Sequence, residues 1–174
     1  MHAVSRTGVP DLGKGVVSRF GRAGVNNRQP MSRSALVIQN ASNQFAAGKR
    51  EQAKATLRAF LQKQPGDAEA NKVLGMMLGQ LEENEPALFY IQRAVGLAPG
   101  DAQLRFMIGN LYMILKRHKE AAQAYSECLR IAPGFLGAHD GRAKCLISLG
   151  DYQGAVECYE AGIAAVPDHP NSYT

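Results

Sequence analysis

Apolar residues along this chain recur at helical spacing, in short runs broken by polar turns. Leu74, Leu78 and Leu81 share one face of a helix, as do Ile108, Leu111, Tyr112 and Leu115. A second run follows the first of these, with Ala87, Leu88, Ile91, Ala94 and Val95. Between runs lie AAGKRE, LEENEP, LKRHKE and LGDYQG, rich in breakers and charge. The pattern predicts a helix, a short turn and a second helix, repeated along the chain.

The repeat has a fixed step. Pro65, Pro99, Pro133 and Pro167 are each 34 residues apart. Three other series keep that register: Ala53, Ala87, Ala121 and Ala155; Leu57, Ile91, Tyr125 and Tyr159; and Ala41, Gly75, Gly109 and Ala143. A fixed period of this size marks a repeat architecture. Each series has a physical role. The small residues allow two antiparallel helices to approach closely, where a larger side chain would add roughly 1–3 kcal/mol of strain. The proline ends the second helix because it lacks an N–H and clashes with the preceding turn. Gly66-Asp67 and Gly100-Asp101 then turn the chain, and the aspartate caps the next helix.

Residues 105–133 supply Arg105, Ile108, Gly109, Tyr112, Ala121, Tyr125 and Pro133; residues 71–99 supply Asn71, Leu74, Gly75, Leu78, Ala87, Ile91 and Pro99. This resembles the tetratricopeptide repeat (TPR) pattern W-x2-L-G-x2-Y, A-x3-F, P. Gly150-Asp151-Tyr152 at an inter-helix turn is also similar to the family. The resemblance covers 34–169 and implies an all-α, right-handed α-solenoid of four antiparallel helix pairs, units 34–67, 68–101, 102–135 and 136–169. Two departures stand out. Asn40 and Gln44 occupy expected apolar positions in unit one, and the aromatic opening position is polar in the others (Asn71, Arg105, His139), which predicts looser corners there.

The resemblance also implies that the first helix of each pair lines a concave groove for a protein or peptide partner. The residues it places there include Ile38, Phe45, Lys72, Met76, Phe106, Met107, Asn110, Met113, Lys144 and Ile147. Exposed apolar patches mark interaction sites, and methionine adapts to varied partners. Two known TPR specialisations do not match. A carboxylate clamp would need Lys and Asn where Ile38 and Ser42 stand, and an asparagine ladder would need Asn at Gln39, Val73, Met107 and Gly141.

Charge refines the picture. The formal net charge is +5, but Arg6, Lys14, Arg19, Arg22, Arg28 and Arg33 against Asp11 account for all of it, and the remaining charges cancel. A neutral repeat body does not provide the basic stripe that phosphates require, so nucleic acid is not an expected partner. Residues 1–33 are Gly- and Arg-rich without periodicity and read as a disordered basic tail, an organellar presequence, or sequence upstream of a true start at Met31. Gly8-x4-Gly13-Lys14 imitates a phosphate loop, yet Gly15 replaces the Mg²⁺-binding hydroxyl and Pro10 interrupts the loop.

No apolar run is long enough for a membrane helix. Cys128, Cys145 and Cys158 lack metal-ligand spacing and read as buried free thiols, which fits the cytoplasm. His2, His118, His139 and His169 have no nucleophile partner at a recognisable spacing, so neither catalysis nor a cofactor is expected. Residues 170–174 read as the start of a fifth unit, which leaves the second helix of unit four with an apolar flank. The expectation is therefore an interaction module or adaptor, with self-association through that flank as a further route. The alternative is the non-catalytic N-terminal part of a longer enzyme of glycosyltransferase or sulfotransferase type.

Overall fold

The computed structural model describes residues 31–165. The basic segment 1–30, with its phosphate-loop imitation, lies outside the described residues, as do Val166, Pro167, His169 and the incipient fifth unit around Tyr173. Among the described residues eight helices follow one another: α1 (Arg33–Ala46), α2 (Arg50–Lys63), α3 (Ala68–Gln80), α4 (Asn84–Leu97), α5 (Ala102–Ile114), α6 (His118–Ile131), α7 (Leu136–Ser148) and α8 (Tyr152–Ala164). Contacts run within each pair and between successive pairs, the arrangement of an α-solenoid.

The small residues of the sequence sit at the close approaches. A Cβ at Gly75 would lie 2.6 Å from Ile91 Cδ1, and one at Gly109 would lie 2.5 Å from Tyr125 Cε1. Ala41, Ala53, Ala87 and Ala121 are fully buried at the equivalent crossings. Leu57, Leu74, Leu78, Ile91 and Leu104 carry the core through the first three units. Tyr125, Cys128 and Cys145 carry it toward the last.

Each first helix ends the same way. The residues at 48, 82, 116 and 150, one repeat apart, all adopt left-handed backbone: Gly48 (φ 77°), Glu82 (φ 61°), Lys116 (φ 59°) and Gly150 (φ 82°). The next amide reaches back five residues to a helix carbonyl, as in Glu83 N to Leu78 O at 3.0 Å and Arg117 N to Tyr112 O at 2.8 Å. This is a Schellman ending, and it normally favours glycine at the left-handed position. Units two and three place charged residues there instead.

The N-termini follow the expected capping. Asp67 Oδ1 accepts from Ala70 N at 2.8 Å, and Asp101 Oδ1 accepts from Gln103 N at 2.9 Å. Unit four departs: Phe135 replaces the aspartate, no side chain caps α7, and the Phe135 ring packs 4.8 Å from that of Phe106.

The polar corners are not loose, contrary to the sequence expectation. Asn71 is fully buried, and its Nδ2 donates to Pro65 O at 3.1 Å and Asp67 O at 2.7 Å. His139 Nε2 donates to Pro133 O at 2.8 Å. Arg105 pairs with Glu127. At the Asn71 and His139 corners the helix-ending proline leaves a carbonyl, and a donor fills the role that bulk alone was expected to play. At the turn before α6 the Arg117 guanidinium lies 4.6 Å from the Tyr112 ring centroid and pairs with Glu120.

Candidate functional site

Hollows lie between consecutive first helices of the described residues. The first lies between α3 and α5, has a volume of about 270 Å³, and is lined by Gly75, Met76, Gly79, Met107, Asn110 and Leu111, among others. Gly79 helps to open this hollow by offering no side chain to fill it, whereas the space beside Gly75 is taken by Ile91. The second lies between α5 and α7 and measures about 520 Å³. Phe106, Met113 and Ile114 form its apolar wall, Tyr125 borders it, and Asp140 and Lys144 line the α7 side. Gly137 and Gly141 stand there because Phe106 and Tyr125 occupy the space their side chains would need.

Asn110 borders both hollows. Its Oδ1 accepts the Tyr125 hydroxyl at 2.7 Å. The amide therefore has a fixed orientation, with its N–H donors available at the divide. Burial, with the Cys145 thiol and Asp140 carboxylate nearby, pushes the Tyr125 phenol up, so it remains a donor across ordinary pH. Lys144 pairs with Asp140 at 2.6 Å, which raises its ammonium and leaves that wall with little net charge.

The structure brings six of the ten sequence-predicted residues to these hollows: Met76, Met107 and Asn110 at the first, Phe106, Asn110, Met113 and Lys144 at the second. The other four line neither. Ile38 and Phe45 are half-buried and pack against the core of units one to three. Lys72 is paired with Glu69 at 2.5 Å, and Ile147 is exposed beyond the second hollow. Sequence reasoning missed Gly137 and Tyr125 as lining residues. A register comparison held part of the signal, because position 141 is glycine where Met107 and Val73 stand one and two repeats earlier.

A third hollow of about 250 Å³ lies between α4 and α6, over α5, with Gln92, Arg105, Tyr112 and Glu127 in its lining. Its polar groups are largely engaged with one another: Gln92 Nε2 donates to Tyr112 at 2.9 Å, and Arg105 pairs with Glu127.

These helix pairs, stacked in one direction with hollows along their first helices, define a helical-repeat interaction module. The chain belongs to the tetratricopeptide repeat family: one model of that family matches residues 38–101 and 80–134, more than half of the chain, and a second matches 112–174. Anaphase-promoting complex subunit 3 of Schizosaccharomyces pombe is 32% identical over 98 residues, which are 56% of this chain and 15% of that subunit. The chain thus spans a small part of that relative's length. A crystal structure of MamA superposes with a TM-score of 0.70 at 23% identity, covering 74% of this chain and 75% of the other. The MamA AMB-1 structure gives 0.69 at 18%, covering 75% and 71%. At these identities the likeness is one of fold. Among the described residues no helix is long and apolar enough to cross a membrane.

Proposed function

We propose that the first-helix face docks a peptide or amphipathic helix of a partner protein, and that the chain acts as an adaptor with no catalytic activity of its own. The observation that carries this reading is the pair of hollows sharing Asn110, walled by methionine and phenylalanine. Apolar side chains of a docked segment would enter the hollows, and the Asn110 amide would meet its backbone between them. Methionine walls suit more than one partner shape. Affinity for a single segment would be about micromolar, roughly −8 kcal/mol. The balanced charge outside residues 1–33 supports a protein partner over nucleic acid. Three buried free thiols support a reducing compartment such as the cytoplasm.

The test is a paired capture with quantification by mass spectrometry, using the full chain and the double variant Met76→Glu, Phe106→Glu. Circular dichroism must first show that the variant keeps its helix content. A partner bound by the wild type and lost from the variant supports docking at this face. Equal capture by both removes the face from the function.

A further inference from the structure

The outer face of α8 continues an interface that the solenoid already uses. In unit three, α6 is covered by α7. Tyr125 is 2% exposed there, with its ring against Gly141, while Ala122 and Leu129 are half-buried beside it. One repeat later the same positions are Tyr159, Val156 and Ile163, and His118 becomes Tyr152. All four are exposed: Tyr152 68%, Val156 50%, Tyr159 40% and Ile163 62%. They follow one another at steps of four, three and four residues, which keeps them in a single stripe along the helix. That spacing is a coiled-coil seam.

We propose that the occupant of this stripe is a second copy of the chain, with two α8 helices packed antiparallel about a two-fold axis. An antiparallel partner is what α6 accepts from α7. The stripe reads aromatic, β-branched, aromatic, β-branched. Turned about a two-fold axis, it sets Tyr152 against the partner subunit's Ile163 and Val156 against the partner subunit's Tyr159, so a flat ring meets a compact side chain at every level. A C2 interface must be self-complementary in this way.

The opposite end of the solenoid argues against head-to-tail stacking. On α1, Gln39, Asn40 and Asn43 are exposed. They stand in register with Val73 and Met107, Leu74 and Ile108, and Met77 and Leu111, which serve packing in later units. Joining α1 of one copy to α8 of another would bury three amides without partners, which costs free energy at each one. Pairing α8 with α8 avoids this and closes at two. A seam on one helix is smaller than a standard interface, so the dimer would form reversibly.

The experiment is sedimentation velocity of the full chain over a wide concentration range, beside Ile163→Glu, Tyr152→Glu and the groove variant Met76→Glu, Phe106→Glu. The expected result is a monomer–dimer equilibrium whose dissociation constant rises about tenfold or more in either α8 variant. The groove variant should leave it unchanged, so failure here and failure of the docking function are separable. Because Ile163 and Tyr152 are exposed, their variants should keep wild-type helix content and urea midpoint. Val156→Cys mixed with Tyr159→Cys should cross-link on mild oxidation, while neither alone should do so efficiently. A wild type that stays monomeric throughout overturns the proposal, including the case in which a segment of the same chain covers the stripe. Open-ended growth, or a dimer indifferent to Ile163→Glu, overturns it as well.

Discussion

The Tyr125 ring occupies the space that a Cβ on Gly141 would need, since such an atom would stand 2.5 Å from Tyr125 Cζ. Tyr125 belongs to unit three and Gly141 to unit four, so the pair holds the two units in register. Gly141→Ala should lower stability by up to about 2 kcal/mol. Overpacking costs roughly 1–3 kcal/mol, and the better helix propensity of alanine offsets about 1 kcal/mol of that. Urea denaturation measures the loss. Tyr125→Leu placed in the Gly141→Ala background should recover part of it, whereas additive losses would show that the two residues are not in conflict.

The left-handed residues at the first-helix ends offer the reverse experiment. Glu82 and Lys116 have φ near 60° and carry side chains. Glu82→Gly and Lys116→Gly should each raise stability by about 0.5–1 kcal/mol, because glycine removes a steric cost of about 1–2 kcal/mol and gives back part of it as unfolded-chain entropy. The sites are one repeat apart, so the gains should add. Gly48→Ala and Gly150→Ala should move thermal midpoints the other way.

Asn71 should matter more than its surface-type chemistry suggests. It is fully buried, and its amide supplies two backbone carbonyls at the corner between units one and two. Asn71→Ala should cost about 1–3 kcal/mol by leaving those carbonyls short of a donor. Hydrogen exchange at the start of α3 should speed up. Unchanged exchange there would place the loss elsewhere.

The thiols predict an alkaline limit. Burial raises Cys128 and Cys158 above the ordinary thiol range and pushes Cys145 up to about 11. A folded-state value above the unfolded one means that the native state holds the proton longer. The contribution to stability is then complete below the unfolded value near 9 and is lost as pH rises toward 11. Urea midpoints should be flat from pH 7 to 8.5 and fall above about 9. All three thiols should resist iodoacetamide in the native protein near pH 8 and react fully in denaturant.

The period, the helix pairs and their crossings were legible in the sequence because proline, alanine and glycine each answer a strong local constraint. The turns were less so. Glu82 and Lys116 do not look like left-handed positions, and only their register with Gly48 and Gly150 gives them away. The corners misled for another reason. Asn71 and His139 looked like weak substitutes for an aromatic, yet each donates to a carbonyl that hydrophobic pattern does not display. The site was half legible. Phe106 and Met113 reach the hollows, whereas Ile38 and Phe45, apolar residues in the same two registers, pack into the core. The second hollow depends on Gly141 facing a tyrosine from another repeat, and a one-repeat pattern does not contain that pairing.

The junctions also set a grammar for the order of the units. At the two equivalent positions, Leu57 is followed by Val73, Ile91 by Met107 and Tyr125 by Gly141. The combined size of each pair is shared out differently, as teeth of different length are cut to matching keyways. Moving α7 and α8 to follow unit two would set Gly141 behind Ile91 and leave a gap, while setting Met107 behind Tyr125 would jam. The units share one outline but are not interchangeable bricks, and the chain therefore encodes their sequence of assembly as firmly as their shape.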